Sequence, residues 1–165
     1  MIEIGFYVAG SVALLSTLMV ITNTNPVHAL LYLVLSLLAI AMVFFMLGAP
    51  FAGVLEIIIY AGAIMVLFVF VVMMLNLGQR TVEQERQWLG GAAWIGPVVL
   101  AAILLAELLV MLWPNEYPTA AGLSVVGPKA VGIALFGPYL LAVELASMLL
   151  LGGLVAAYHL GRHQD

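Results

Sequence analysis

Glu56 and Tyr60 stand four residues apart at the head of "EIIIYAGAIMVLFVFVVMMLNLG" (56–78), which carries no other charge. In an α-helix that spacing sets the two side chains one turn apart on nearly the same face. There the phenol can hydrogen-bond the carboxylate or line one polar track with it. Two further carboxylates, Glu107 and Glu144, lie in similarly apolar surroundings. An ionised carboxylate within a bilayer costs ~2.5 kcal/mol or more on insertion scales, so such groups face a cavity, a partner or a proton path. Glu56, Tyr60 and Glu144 are the proton-path candidates, because both carboxylates lie more than a turn beyond their expected helix starts. Neither has a basic partner in its own helix, so a partner must come from elsewhere in the chain or from another subunit. Glu107, close to Trp113 and Pro114, is expected to reach the membrane surface or to be satisfied by a neighbouring helix.

The remaining polar residues promise less chemistry. His28 sits just inside an expected helix start and reads as a capping or interfacial histidine. His159 and His163 share an i, i+4 spacing but belong to a solvated helix end rather than a metal site. "GLSVVGPK" (122–129) has the glycine spacing of a phosphate loop, but Pro128 occupies the position of the required lysine, and no strand precedes it. Nucleotide binding is rejected. No Ser/His/Asp set can be assembled, and with no cysteine the chain offers neither disulfides nor thiolate ligands for zinc or an iron–sulfur cluster.

These groups sit in elements made for lipid. Of the 165 residues, 66% are hydrophobic and 7% charged, against roughly 25% charged in ordinary soluble domains. No Asp, Glu, Lys or Arg occurs between Glu3 and Glu56, between Glu56 and Arg80, or between Arg86 and Glu107. Each gap admits at least one ~20-residue membrane helix. The expected fold is an all-α integral membrane protein, one polytopic domain over 1–165, with spans at about 4–21, 27–47, 51–77, 91–113 and 135–160. Counting ~1.5 Å per residue from the outer helix ends puts the three carboxylates at a similar depth. The first span lacks the basic flank of a signal peptide and is expected to be retained.

Helix boundaries carry their own chemistry. In "TNTNPVHAL" Asn25 is the expected N-cap, with Pro26 at the first helical position. In "LGAPF" one helix ends at Gly48 and the next begins at Pro50. Both links are short, so the first three helices should run antiparallel in sequence. The segment "PKAVGIALFG" (128–137), bracketed by Pro128 and Gly137–Pro138, is expected to form a short interfacial helix leading into the fifth span. Arg80, Arg86 and Arg162 fall on one side of five spans and Lys129 on the other. This predicts a cytoplasmic carboxyl end and an external amino end. Trp88, Trp94, Trp113 and Tyr117 flank the fourth span, where amphipathic rings favour the interface. A net charge of −4 with four scattered basic residues argues against nucleic acid.

The third span has a second feature. Ala61–Gly62–Ala63 allow close helix contact, and glycine weakens a helix locally, so this is the expected place for a bulge or kink. This span, the second, and "KAVGIALFGPYLLAVELASMLLLGGLVAAYHLGR" near the carboxyl end together closely resemble the J subunits of bacterial respiratory complex I, the proton-pumping NADH:quinone oxidoreductase. "EIIIYAGAIMVLFVFVVMMLNL" and "LAVELASMLLL" are the most specific matches, and 98–127, with Glu107, the weakest.

The resemblance implies a membrane-arm subunit without redox chemistry of its own, beside subunits K, H, A and N. FMN, the iron–sulfur clusters and the quinone would belong to other subunits. It also implies a π-bulge in the third helix just after the tyrosine, whose conversion to regular helix opens or closes a proton path. The implied hinge residues are Tyr60, Ala61, Gly62, Ala63, Met65 and Val66. Two other readings fit the composition: a subunit of a related multi-subunit cation/proton antiporter, and a purely structural bundle.

Overall fold

A computed structural model describes residues 2–23, 26–75, 94–112 and 125–161. Asn25, Arg80, Arg86, Trp88, Trp113, Pro114, Tyr117, Arg162 and His163 lie outside the described residues. Helices α1 (Ile2–Thr22) and α2 (Pro26–Met46) lead to a third span in three pieces: α3 (Pro50–Leu55), a π-helix (Glu56–Ile64) and α4 (Met65–Leu75). Then come α5 (Ile95–Leu112), α6 (Pro128–Leu135) and α7 (Leu140–Gly161). Among the described residues there is no strand, and five helices are long and apolar enough to cross a membrane: Glu3–Thr22, Pro26–Met46, Pro50–Val72, Ile95–Leu112 and Leu140–Gly161.

The chain divides into two compact units, one to Val125 and one from Val126. In the first, α2 is the common neighbour, touching α1, all three pieces of the third span and α5. Its seam with α1 mixes two alanines with larger apolar residues: Ala9, Val12, Leu35, Ala39 and Met42 are buried together with Leu104 of α5. In lipid, burial from water does not drive helices together, so close van der Waals contact and interhelical hydrogen bonds must. Ala9 and Ala39 supply the first. The second comes from Thr17 and Ser36, whose hydroxyl oxygens lie 2.8 Å apart. Both hydroxyls also reach the Ala13 carbonyl, Thr17 at 2.8 Å and Ser36 at 3.4 Å, so the three groups share two hydrogens, and either hydroxyl can be the donor between Thr17 and Ser36. Such a bond contributes about 0.6 kcal/mol on average in a membrane bundle. His28, expected to cap, is buried in the first turn of α2.

The link from α2 to α3 is closed tightly. Ala49 N–H donates to the Phe44 carbonyl at 3.0 Å and Gly48 N–H to Phe45 at 3.2 Å, with Gly48 at φ 76°. This is a Schellman end, in which the left-handed residue lets the chain turn back on the last helical carbonyls. Pro50 then opens α3 where a missing N–H costs nothing. Within its first turn α3 meets α2 again: a Cβ on Gly53 would stand 2.9 Å from the Ala41 carbonyl oxygen and 3.0 Å from Phe45 Cε1.

In the second unit the fifth span begins at Leu140 rather than near 135. Pro138 has no N–H to continue the ladder, and the turn before it is so close that only glycine fits at 137, where a Cβ would stand 2.7 Å from the Ile133 carbonyl oxygen. Helix α6 therefore stops, the chain turns through Phe136–Tyr139, and Leu140 N–H picks up the Gly137 carbonyl at 3.2 Å to start α7. The short helix expected over 128–137 is present as Pro128–Leu135.

Two substitutions test these contacts. Gly53→Val must push α3 off α2 and should destabilise the chain by ~1–3 kcal/mol, the usual cost of overpacking. Gly48→Ala places a Cβ in the left-handed region and should cost about 1–2 kcal/mol. Thermal unfolding of the purified chain in lipid nanodiscs should show the Gly53→Val transition shifted down at least as far as that of Gly48→Ala.

Candidate functional site in the third span

The middle of the third span leaves α-helical register. Across Glu56–Ile64 the backbone bonds as a π-helix, and at its far end Met65 N–H reaches the Tyr60 carbonyl five residues back. Two local features of the sequence favour the wider turn. Ile57, Ile58 and Ile59 are consecutive β-branched residues, which crowd the preceding turn of an α-helix. Gly62 is the second: a Cβ there would stand only 3.2 Å from the Ile57 carbonyl oxygen, five residues back. The π-helix occurs mostly as single-turn bulges and often at functional sites.

The change of register re-sorts the faces. Gly53 is buried, Glu56, Ala61 and Gly62 are half-buried, and Met65 is buried at 3% exposure. Ile57, Ile58, Ile59, Tyr60, Ala63 and Ile64 are exposed, Tyr60 at 50%. The sheltered face steps from Glu56 to Ala61, a five-residue stride rather than four. Tyr60, expected over Glu56 on an α-helical count, is thus turned outward, and Ala61 takes the inner position. Among the described residues no hydrogen bond joins Glu56 to Tyr60.

The other sequence candidates are spread over both units. Tyr60, Ala61, Gly62 and Ala63 fall within the π-helix, whereas Met65 and Val66 open the α-helix beyond it. The π-helix also reaches further towards the amino end than a bulge confined to the residues after Tyr60, and takes in Glu56 itself. Glu144 lies in the second unit, exposed on α7. Glu107 is the surprise: both carboxylate oxygens are enclosed and have no hydrogen-bond partner among the described residues. It is covered by neighbouring helices of this chain, at the level of Gly5 of α1 and the end of α2, but finds no hydrogen-bond partner there among the described residues. The signal available in the sequence is positional: Glu107 shares an i, i+3, i+4 pattern with Leu100, Leu104, Leu108 and Met111, the α5 residues that pack at the core. No group of three or more His, Asp or Glu that could hold a metal occurs among the described residues.

Comparison with known proteins identifies the family. Residues 16–160 match the family model of NADH-ubiquinone/plastoquinone oxidoreductase chain 6. The NADH-quinone oxidoreductase subunit J of Pseudomonas aeruginosa is 68% identical over 160 residues, covering 97% of this chain and 96% of its own. That of Escherichia coli K12 is 63% identical over 162 residues, 98% of this chain and 88% of its own. That of Buchnera aphidicola from Schizaphis graminum is 49% identical over 164 residues, 98% and 99% respectively. With the family match spanning most of the chain, and these relatives aligned nearly end to end, the chain belongs to the NADH-ubiquinone/plastoquinone oxidoreductase chain 6 family.

Proposed function

We propose that this chain is a membrane-arm subunit of a proton-translocating NADH:quinone oxidoreductase, and that its third span gates proton movement coupled to quinone reduction. The family membership supports the first part, since the relatives are named as subunits of NADH-quinone oxidoreductase. The π-helix over Glu56–Ile64 is the observation that carries the second. In this reading the chain is a non-catalytic part of the enzyme. FMN, iron–sulfur clusters and quinone are held by other subunits, in keeping with a chain that has no cysteine. Its neighbours are the K, H, A and N subunits and the lipid of a bacterial inner membrane. The carboxyl end is cytoplasmic and the amino end external, by the excess of arginine on one side.

The geometry suggests how such a gate works. Closing the π-helix to α-helix removes one residue of register and turns the two flanking helices, α3 and α4, by about 100° relative to each other. Gly53 holds α3 against α2, so the rotation falls on α4. Met65, buried in the π form, would leave its place, and Tyr60 would swing back over Glu56. In that form the carboxyl and the phenol stand one turn apart and can share a proton path; in the π form they are separated. The third span is then the moving part of one polytopic domain, with Glu144 of α7 as a further proton-path group.

The test uses the assembled complex in inside-out membrane vesicles. Gly62→Leu crowds the Ile57 oxygen, and a bias of only about 1 kcal/mol shifts the balance of two forms roughly fivefold. Proton pumping per quinone reduced should fall in Gly62→Leu and in Tyr60→Phe, with the complex assembled to normal levels. Normal pumping in both variants would remove the gating role while leaving membership in the complex intact. Co-purification of the wild-type chain without flavin and iron–sulfur subunits would remove the membership as well.

A further inference from the structure

The geometry points to Glu107 as a second protonatable site, separate from the π-helix: a carboxyl group that carries its proton, enclosed between α1, α2 and α5. Both oxygens are covered by this chain's own atoms and meet no hydrogen-bond partner among the described residues. One of them lies over Gly5 of α1, 3.8 Å from where a Cβ would stand, beside the thioether of Met46 at the end of α2. Leu104 is buried on the same face of α5, with Leu108 and Met111 packed at the same core.

The surroundings offer no counter-charge among the described residues. On α1 the nearest titratable residues in sequence to Gly5 are Glu3 and Tyr7, and both side chains are exposed. On α2 the titratable residues are His28 and Tyr32, and Tyr32 is fourteen positions, or about 20 Å of helix, from Met46. The Tyr32 hydroxyl is moreover committed to the far end of α5, lying against Gly96. Within α5, Glu107 is alone. An ionised carboxylate without a partner is among the most expensive groups a membrane protein can enclose, whereas the acid costs no more than another unpaired polar group. Met46 is the natural cover of the site. A flexible, unbranched thioether fills the notch left by Gly5, and its movement would admit a proton carrier from the adjacent membrane face. This inference does not depend on what the third span does.

Infrared difference spectroscopy on the assembled complex in lipid, with carbon-13-labelled glutamate, decides the matter. Relative to wild type, Glu107→Gln should lose intensity in the carbonyl stretch of a protonated carboxyl and none in the carboxylate bands. Glu107→Asp should shift that stretch rather than abolish it. Gln mimics the neutral acid in size and hydrogen bonding, so the Glu107→Gln complex should assemble at wild-type levels on native gels. Loss of intensity from the carboxylate bands instead would overturn the proposal. So would an assembly defect in Glu107→Gln that Glu107→Asp does not share, because it would mean that negative charge is what the site requires.

Discussion

Close contact between α1 and α2 is the constraint on which the first unit rests. With lipid on the outside there is no water to expel, so two apolar cylinders hold together only if their surfaces can approach and find something better than acyl chains. Ala9 against Ala39 allows the approach, and the Thr17–Ser36 hydrogen bond gives the seam a fixed register. Once α2 is so fixed, its other sides become the surface on which α3, the π-helix, α4 and α5 are laid. Loosening that seam would remove the reference against which the third span has a sheltered and an open face at all.

Much of this is legible in the residues, and for simple reasons. Five apolar runs of bilayer length, each almost without charge, can hardly be anything but spans. Pro26, Gly48 and Pro50 mark helix ends by stereochemistry that does not depend on tertiary context. The fifth span reads from sequence as starting some five residues early because Ile133–Phe136 is as apolar as the stretch from Leu140 onward. Only the Gly137–Pro138 break, acting through the Ile133 carbonyl, separates α6 from α7.

The features that stay hidden have one common cause. Where nearly every side chain is apolar, there is no polar stripe from which to count turns, so a shift from four-residue to five-residue stride leaves no trace in the pattern. Gly62 and its alanine neighbours mark a weak point, but the π-helix itself is expected from resemblance, not from periodicity. The same blindness applies to Glu107. Both faces of α5 are greasy, so nothing local says which one α1 and α2 will cover, nor that the Glu107 carboxyl will be shut in by them.

The turn at Gly48 and the notch at Gly53 lie within one helical turn and a half of each other, on the amino side of the π-helix. Together they act as a clamp on one end of a shaft. In the gating proposed for this span, the rotation generated across Glu56–Ile64 would pass through Met65 towards Leu75. A gate of the proposed kind would not have to carry charge over distance; it would convert a local change of winding into a rotation delivered at the opposite membrane face.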